Sequence, residues 1–255
     1  MLAVAMTLGY LAAARLDGGR GMQAGNRRTH QSVVLSFLAG YVDTVGFVAL
    51  FGLFTAHVTG NFVLIGSELA NHSHGVLIKL LAFPAFILAV ALTRVTLIWL
   101  ERSARQPMPY LLVLQLIFLL GFMIAGCLAQ PLGDTEAPLA LLAGICGAAC
   151  MGVQNASSRL VLQHLTPTTV MTGNVTQLVI DLVDILRGAA DETVRQRCIK
   201  FFWPVVMFGV GAIGGAFAYK YLLFLSLLLP AALLVWLAVT EYLSEKGEAG
   251  SPSTL

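Results

Sequence analysis

Carboxylate and amide side chains interrupt several strongly apolar stretches of this sequence. Asp43 lies near the middle of "FLAGYVDTVGFVAL". An ionised carboxylate inside a lipid-spanning helix costs several kcal/mol, so such a residue usually faces a protein interior or an aqueous cavity. Asp43 could therefore form a site for a proton, a cation or a substrate. A neutral Asp43 that hydrogen-bonds between helices is the structural alternative.

Two Thr-Gly-Asn triplets, at 59–61 and 172–174, begin two short apolar runs. Glycine permits close backbone approach, and we expect the Thr and Asn side chains to cap a helix that begins right after them. Free N–H groups at the start of such a half-helix would attract an anion. The alternative is that the triplet only caps a short helix or lets two helices pack closely.

The chain repeats itself, because these polar landmarks recur in the same order. "AGYVDT" aligns with "MGVQNA" at an offset of 112 residues, and "VTGN" aligns with "MTGN" at an offset of 113. We predict two homologous repeats, 31–129 and 138–243. The aligned pairs are Asp43 with Asn155, Asn61 with Asn174, Glu68 with Asp181, and Pro84 with Pro204.

The composition is that of an integral membrane protein. Hydrophobic residues make up 58% of the chain and charged residues 11%, and the mean hydropathy is +0.83. The net charge of +2 excludes a nucleic-acid partner and leaves the lipid bilayer as the expected surroundings. We predict an N-terminal extension over 1–30, with Met22 as an alternative start, a single transmembrane domain over 31–243, and a disordered tail over 244–255.

Eight apolar runs are visible, and loop charge decides how they cross the membrane. Eight full spans would place Arg102 and Arg105 outside and the acidic "GDTEA" loop inside, against the positive-inside rule. If both Thr-Gly-Asn runs enter and leave on one side, six full transmembrane helices remain, with cytoplasmic N- and C-termini. Three spans per repeat give an inverted repeat, as in many secondary transporters. Eight spans in a parallel repeat is the alternative.

We predict an all-α membrane protein that acts as a small secondary transporter or permease for a small solute, with Asp43 or Asp181 handling coupling protons. Alternatives are an intramembrane enzyme for a lipid or isoprenoid, using Asp43 and His57, and a non-catalytic scaffold. Arg159 either snorkels or pairs with a carboxylate. No catalytic signature, cofactor or metal site is expected, and homo-oligomerisation is left open. The predicted binding or coupling residues are Asp43, Thr59, Asn61, Gln154, Asn155, Thr172, Asn174, Gln177 and Asp181.

The motifs "AGYVDTVGF", "HVTGN", "MGVQNA" and "TPTTVMTGNVTQL" resemble the YoaK-type family of bacterial transmembrane proteins, a family of unknown function. The resemblance covers roughly Gln31 to Tyr242. It implies a multi-pass protein of the bacterial inner membrane with a shared fold. It implies no substrate and no activity.

Overall fold

The computed structural model describes residues 20–249, except Ser73, Ala104 and His164. Its secondary structure in this part of the chain is entirely helical, which confirms the predicted all-α class. The remainder of the predicted N-terminal extension and C-terminal tail lies outside the described residues. The helices are α1 (Arg20–Ala49), α2 (Gly60–Ala70), α3 (Val76–Arg102), α4 (Met108–Leu128), α5 (Pro138–Leu160), α6 (Met171–Leu186), α7 (Glu192–Leu222), a 3-10 turn (Leu223–Leu227) and α8 (Leu228–Ala249).

Helix length separates membrane-crossing elements from shorter ones. Five stretches are long and apolar enough to span, and the last of them covers α7, the 3-10 turn and α8. Helices α2 and α6 contain 11 and 16 residues. At about 1.5 Å per residue, they are shorter than a hydrocarbon core of about 30 Å. The five stretches are His30–Ala49, Val76–Arg102, Met108–Leu128, Pro138–Leu160 and Glu192–Ser244.

Large apolar side chains cover the outer faces of the long helices. On α3, Leu88 is 69% exposed, Val95 63% and Trp99 60%. Water-soluble proteins rarely expose contiguous apolar surface of this kind, whereas lipid tails solvate it without penalty. Together with the apolar helix lengths, this surface makes the chain a multi-pass helical membrane protein.

Glycines bring α1 and α7 into backbone contact. A Cβ atom on Gly211 would lie 2.0 Å from the Phe37 carbonyl oxygen, and one on Gly215 would lie 2.6 Å from the Tyr41 carbonyl oxygen. No larger residue fits at these positions without moving a helix. Since the contacting residues advance along both helices in the same direction, α1 and α7 run parallel.

Helices α3 and α5 form a second parallel pair of the same kind. A Cβ atom on Gly144 would lie 2.8 Å from the Ile78 side chain, and one on Gly152 would lie 2.9 Å from the Phe86 carbonyl oxygen. The first long helix of each half of the chain therefore packs against the helix that follows the short helix in the other half.

Helix α7 begins at an acidic cap. The Asp191 side chain accepts a hydrogen bond from the Thr193 hydroxyl at 2.6 Å and another from the Val194 N–H at 2.9 Å. The hydrogen bond from Thr193, followed by that from Val194, holds the pKa of Asp191 below its usual value. This cap fixes where the chain turns from the loop after α6 into α7.

Candidate functional site

Asp43 holds the loop that follows α1. One carboxylate oxygen accepts hydrogen bonds from the N–H groups of Thr55 and Ala56, both at 2.7 Å, and from the Thr55 hydroxyl at 3.3 Å. The other oxygen lies 2.5 Å from Nδ1 of His57. Asp43 is 5% exposed. Its carboxylate therefore folds residues 50–59 back against α1 and orients the His57 ring.

The Asn of the first triplet closes the same loop. The Asn61 side chain accepts from the Phe54 N–H at 2.9 Å and donates to the Phe54 carbonyl oxygen at 2.8 Å. Thr59 precedes α2 but makes no side-chain cap, so the predicted capping role of this triplet is wrong. The physical reason is that the Asn61 amide already pairs with a peptide group seven residues earlier.

The first N–H groups of α2 are also occupied. Those of Gly60, Asn61 and Phe62 donate to the carbonyl oxygens of residues 57, 58 and 59, respectively, in a tight turn. These N–H groups are therefore not free to bind an anion at the start of α2.

The loop after α5 is held at corresponding positions by weaker groups. The Asn155 amide donates to the Thr169 hydroxyl at 2.7 Å, and the Ser158 hydroxyl accepts from the Thr168 N–H at 3.4 Å. Asn155 aligns with Asp43 in the sequence repeat. The same place in each half thus ties a loop to the helix that precedes it, with a carboxylate in one half and an amide in the other.

The second triplet repeats the backward contact of the first. The Asn174 amide donates to the carbonyl oxygen of Pro167, seven residues earlier, at 2.6 Å. Proline has no N–H, so the reciprocal hydrogen bond made by Asn61 is impossible here. Thr172 lies inside the first turn of α6, whose N-cap is Val170 and has no side-chain cap. The capping prediction is wrong for this triplet too.

Gln154 joins three separate parts of the fold. It is 1% exposed, donates to the Leu35 carbonyl oxygen at 2.7 Å and the Thr168 hydroxyl at 3.0 Å, and accepts from Gln115 at 2.7 Å. Leu35 is on α1 and Gln115 is on α4. The predicted site residue Gln154 thus connects α1, α4 and α5 to the loop before α6.

A buried cation anchors the far end of α2. The Lys79 side chain is 0% exposed and lies 2.6 Å from a Glu68 carboxylate oxygen. Its ammonium group also donates to the carbonyl oxygen of Phe51 at 2.6 Å. This pair fixes the short helix against the start of α3. Sequence reasoning missed Lys79, which interrupts the apolar run "VLIKLLAF" and was the signal that could have revealed it.

In the second half of the chain, a buried acid attaches the short helix α6 to α7. The Asp181 side chain is 0% exposed and accepts three hydrogen bonds from the Arg197 guanidinium, at 2.7, 2.9 and 3.2 Å. Gln177 donates to the same carboxylate at 2.8 Å. The two predicted site residues on α6 are therefore brought together, and both face α7 through Arg197.

A cavity of about 400 Å³ lies where the two loops meet. Its wall contains the three residues before each triplet and the Thr of the triplet itself, 56–59 and 169–172, and these two segments align with each other in the sequence. Asn155 and Arg159 of α5 and two phenylalanines of α3 complete it. The lining residues are Ala56, His57, Val58, Thr59, Phe83, Phe86, Asn155, Arg159, Thr169, Val170, Met171 and Thr172.

The structure divides the predicted site residues into three groups. Thr59, Asn155 and Thr172 line the cavity, and Asp43 reaches it through His57. The others lie outside its wall: they hold the loops or attach α6 to α7. That group comprises Asn61, Gln154, Asn174, Gln177 and Asp181.

The cavity wall is cationic. Arg159 is exposed, with no ion pair or hydrogen bond to any residue that the structure describes, so of the two alternatives for this side chain the pairing with a carboxylate is not observed there. The His57 side chain is 35% exposed. No acidic residue is among the lining residues. Within the described ranges, no group of three His, Cys, Asp or Glu side chains is placed to hold a metal ion. The wall is therefore suited to a small polar or anionic solute.

Comparison with known proteins gives one match. The sequence model of a family described as "Protein of unknown function (DUF1275)" matches residues 31–240. This confirms the family expected from the motifs, since the YoaK-type resemblance is consistent with the match. No curated protein and no solved structure matches the chain.

Proposed function

We propose that the chain, which belongs to this DUF1275 family, is a small secondary transporter of the bacterial inner membrane. The observation that carries the proposal is the cavity of about 400 Å³, whose wall draws on corresponding residues of both halves. Secondary transporters built from repeats bind their solute at the repeat interface, where discontinuous helices meet. The short helices α2 and α6 start at this cavity.

The proposed topology has six spans in an inverted repeat, with α2 and α6 as re-entrant segments. A Cβ atom on Gly75, just before α3, would lie 3.6 Å from Cβ of Phe51, just after α1. Helix α3 therefore starts beside the end of α1, so α2 enters and leaves on that side. In the second half, the Thr166 hydroxyl, after α5, donates to the Lys200 carbonyl oxygen near the start of α7 at 3.0 Å.

The direction of α5 relative to α1 supports the inversion. Leu35, early in α1, accepts from Gln154, late in α5. Thr55, bonded to Asp43 late in α1, would lie 2.9 Å from a Cβ atom on Gly147, earlier in α5. The two helices thus run antiparallel, as a twofold axis in the membrane plane requires. This axis would pass through the cavity and place it near mid-membrane.

Loop charge orients the protein with both termini in the cytoplasm. In the six-span arrangement the basic loops lie on one side and the acidic loop before α5 lies on the other. The basic residues are Arg27, Arg28, Arg102, Arg105, Arg187 and Arg195, and the acidic ones are Asp134 and Glu136.

His57 and Asp43 supply a route for proton coupling. Their side chains are 2.5 Å apart, and only His57 reaches the cavity. A proton taken up by this pair changes the charge of the wall that faces the solute. Rocking of one half against the other would then expose the loaded cavity alternately to each side.

The Asp43–His57 contact also favours a second candidate, an intramembrane enzyme that acts on a lipid or isoprenoid with this pair as acid and base. Such an enzyme needs a cleft open to lipid, whereas a transporter needs a cavity that water reaches from both sides. Water access therefore separates the two functions without knowledge of the substrate.

Cysteine labelling tests this difference. In a variant without the native cysteines, Thr59→Cys and Thr172→Cys are reacted with a membrane-impermeant maleimide applied to sealed vesicles of either orientation. A transporter predicts labelling of both positions from both sides. Val63→Cys is the control: Val63 lies in the first turn of α2, just after position 59, but it is absent from the cavity wall and 75% exposed on an apolar face, so in the lipid it should resist labelling.

The result that overturns transport is labelling of positions 59 and 172 from one side only, or from neither. Ser103→Cys reports orientation in the same vesicles and is expected to react only from the cytoplasmic side. Reaction of position 103 from the outside would overturn the six-span topology.

A further inference from the structure

We propose that the solute bound in this cavity is a small organic monoanion, a carboxylate with an apolar body, whose charge is held by Arg159. The proposal rests on the proposed function only in taking this cavity as the solute site. It assigns the chemical class of the ligand, which transport by itself leaves open.

The cavity wall contains a positively charged side chain, that of Arg159. Arg159 is exposed within the cavity wall and has no carboxylate or hydrogen-bond partner among the described residues. Arg159 is the last residue but one of α5, and a guanidinium in a partly apolar wall is stabilised by a solute that supplies a counter-ion. Guanidinium also matches the two oxygens of a carboxylate in geometry.

The nearest acid does not fill this role. Asp43 is 5% exposed, one of its oxygens accepts three hydrogen bonds from residues 55 and 56, and the other contacts His57. Its carboxylate is therefore committed to its own loop. The start of α2 does not compete with Arg159 either, because its first N–H groups already donate to residues 57–59.

The other side chains of the cavity wall indicate that the uncharged part of the ligand is apolar. Half of the lining residues are apolar: Ala56, Val58, Phe83, Phe86, Val170 and Met171. A volume of about 400 Å³ lies toward the lower end of the range of about 300–1,000 Å³ seen for small-molecule sites. Among the described lining residues Arg159 is the one arginine or lysine, which favours a ligand with one negative charge over two.

Thr59 and Thr172 provide polar contacts on either side. Both residues line the cavity, and neither side chain caps a helix. Each can donate to a carboxylate oxygen that Arg159 brings into reach. We therefore expect Arg159 to set affinity and these two threonines to set orientation.

Thermal unfolding of the purified full chain in detergent tests the ligand class with benzoate, benzyl alcohol and benzylamine. These probes share an apolar ring and differ in charge. We expect benzoate to raise the unfolding temperature in a saturable way, and the neutral and cationic probes to leave it unchanged. Equal stabilisation by all three, or none by benzoate, would overturn the proposal.

Substitutions then assign the effect to one side chain. Arg159→Gln should weaken benzoate binding about 10- to 100-fold, since a hydrogen-bonded charge is lost, and Arg159→Lys should retain part of it. Arg94→Gln, which removes an exposed arginine outside the cavity, is the matched control and should bind as the parent does. Unchanged affinity in Arg159→Gln would overturn the assignment. If Arg159→Gln does not fold, the benzoate affinities of Arg159→Lys and Arg94→Gln are compared instead. Equal affinities in these two variants would overturn the assignment to Arg159.

The proposal of transport and the proposal of an anionic ligand can each be overturned without the other. Labelling of positions 59 and 172 from both sides without benzoate binding retains transport and overturns the anion class. Benzoate binding that depends on Arg159, with labelling from one side only, retains the anion site and overturns transport.

Discussion

The loops at 50–59 and 161–170 occupy corresponding places in the two halves but are held by different chemistry. In the first loop, the Asp43 carboxylate accepts hydrogen bonds from two backbone N–H groups and one hydroxyl, and it also contacts His57. In the second, Asn155 makes one hydrogen bond to the Thr169 hydroxyl. Each loop is tied to the helix before it, but the first is held by more hydrogen bonds to the aligned side chain than the second.

This difference explains why the cavity is chemically asymmetric. His57 aligns with Val170 at an offset of 113 residues, and Arg159 aligns with Phe47 at an offset of 112. Each half therefore contributes one ionisable side chain to the wall and leaves the corresponding position of the other half apolar. Aligned sequence motifs thus contribute different ionisable side chains to one cavity.

The ion pairs differ in the same way. In the first half the cation Lys79 is fully buried and Glu68 is 16% exposed, whereas in the second half the acid Asp181 is fully buried and Arg197 is 46% exposed. Each pair ties a short helix to the long helix after it. The sign of the buried charge is reversed between the two halves.

The largest expected effects come from stranding the buried member of each ion pair. Glu68→Met should lower the free energy of unfolding by about 3–5 kcal/mol, because Lys79 is left as a buried charge without its carboxylate partner. Arg197→Met should also lower the free energy of unfolding, because the Asp181 carboxylate loses its guanidinium partner. Unfolding in mixed micelles with increasing sodium dodecyl sulfate measures the change.

The controls for this comparison remove the buried charge as well. The double variants Glu68→Met with Lys79→Met, and Asp181→Met with Arg197→Met, should recover most of the lost stability, since no buried charge remains. Double variants no more stable than the single ones would refute the reversed-burial account.

A smaller effect should separate the two loop attachments. Asp43→Ala should lower the free energy of unfolding by about 2–3 kcal/mol, because two loop N–H groups lose their acceptor. Asn155→Ala removes one hydrogen bond to a hydroxyl and should cost about 1 kcal/mol. The same unfolding measurement applies, and equal losses would show that the carboxylate adds no strength to the first loop.

The smallest effect should separate the two triplets. Asn61 makes two hydrogen bonds with Phe54, whereas Asn174 makes one with Pro167. Asn61→Ala is therefore expected to destabilise the fold by about 1 kcal/mol more than Asn174→Ala. A larger loss for Asn174→Ala would mean that the second loop depends on contacts other than this one.

Much of the fold could be predicted because it depends on runs of neighbouring residues. Apolar length indicated the long helices, and α2 and α6 proved to be short, as expected for the two triplet runs. Alignment of Asn61 with Asn174 indicated corresponding elements, and both do contact the residue seven positions earlier. The capping role assigned to these triplets was wrong, since an amide can pair with a peptide group as readily as with a helix end.

The sequence by itself determined the membrane class, the family and the paired polar landmarks, of which Thr59, Asn155 and Thr172 line the cavity. Only the tertiary structure decided that Asp43 binds its own loop, that Lys79 meets Glu68, and that Arg159 lines the cavity without a carboxylate partner among the described residues. The physical reason is the separation along the chain between the residues that set each property. Hydropathy and spacing are properties of contiguous chain, whereas the partner of a buried charge depends on how distant segments pack.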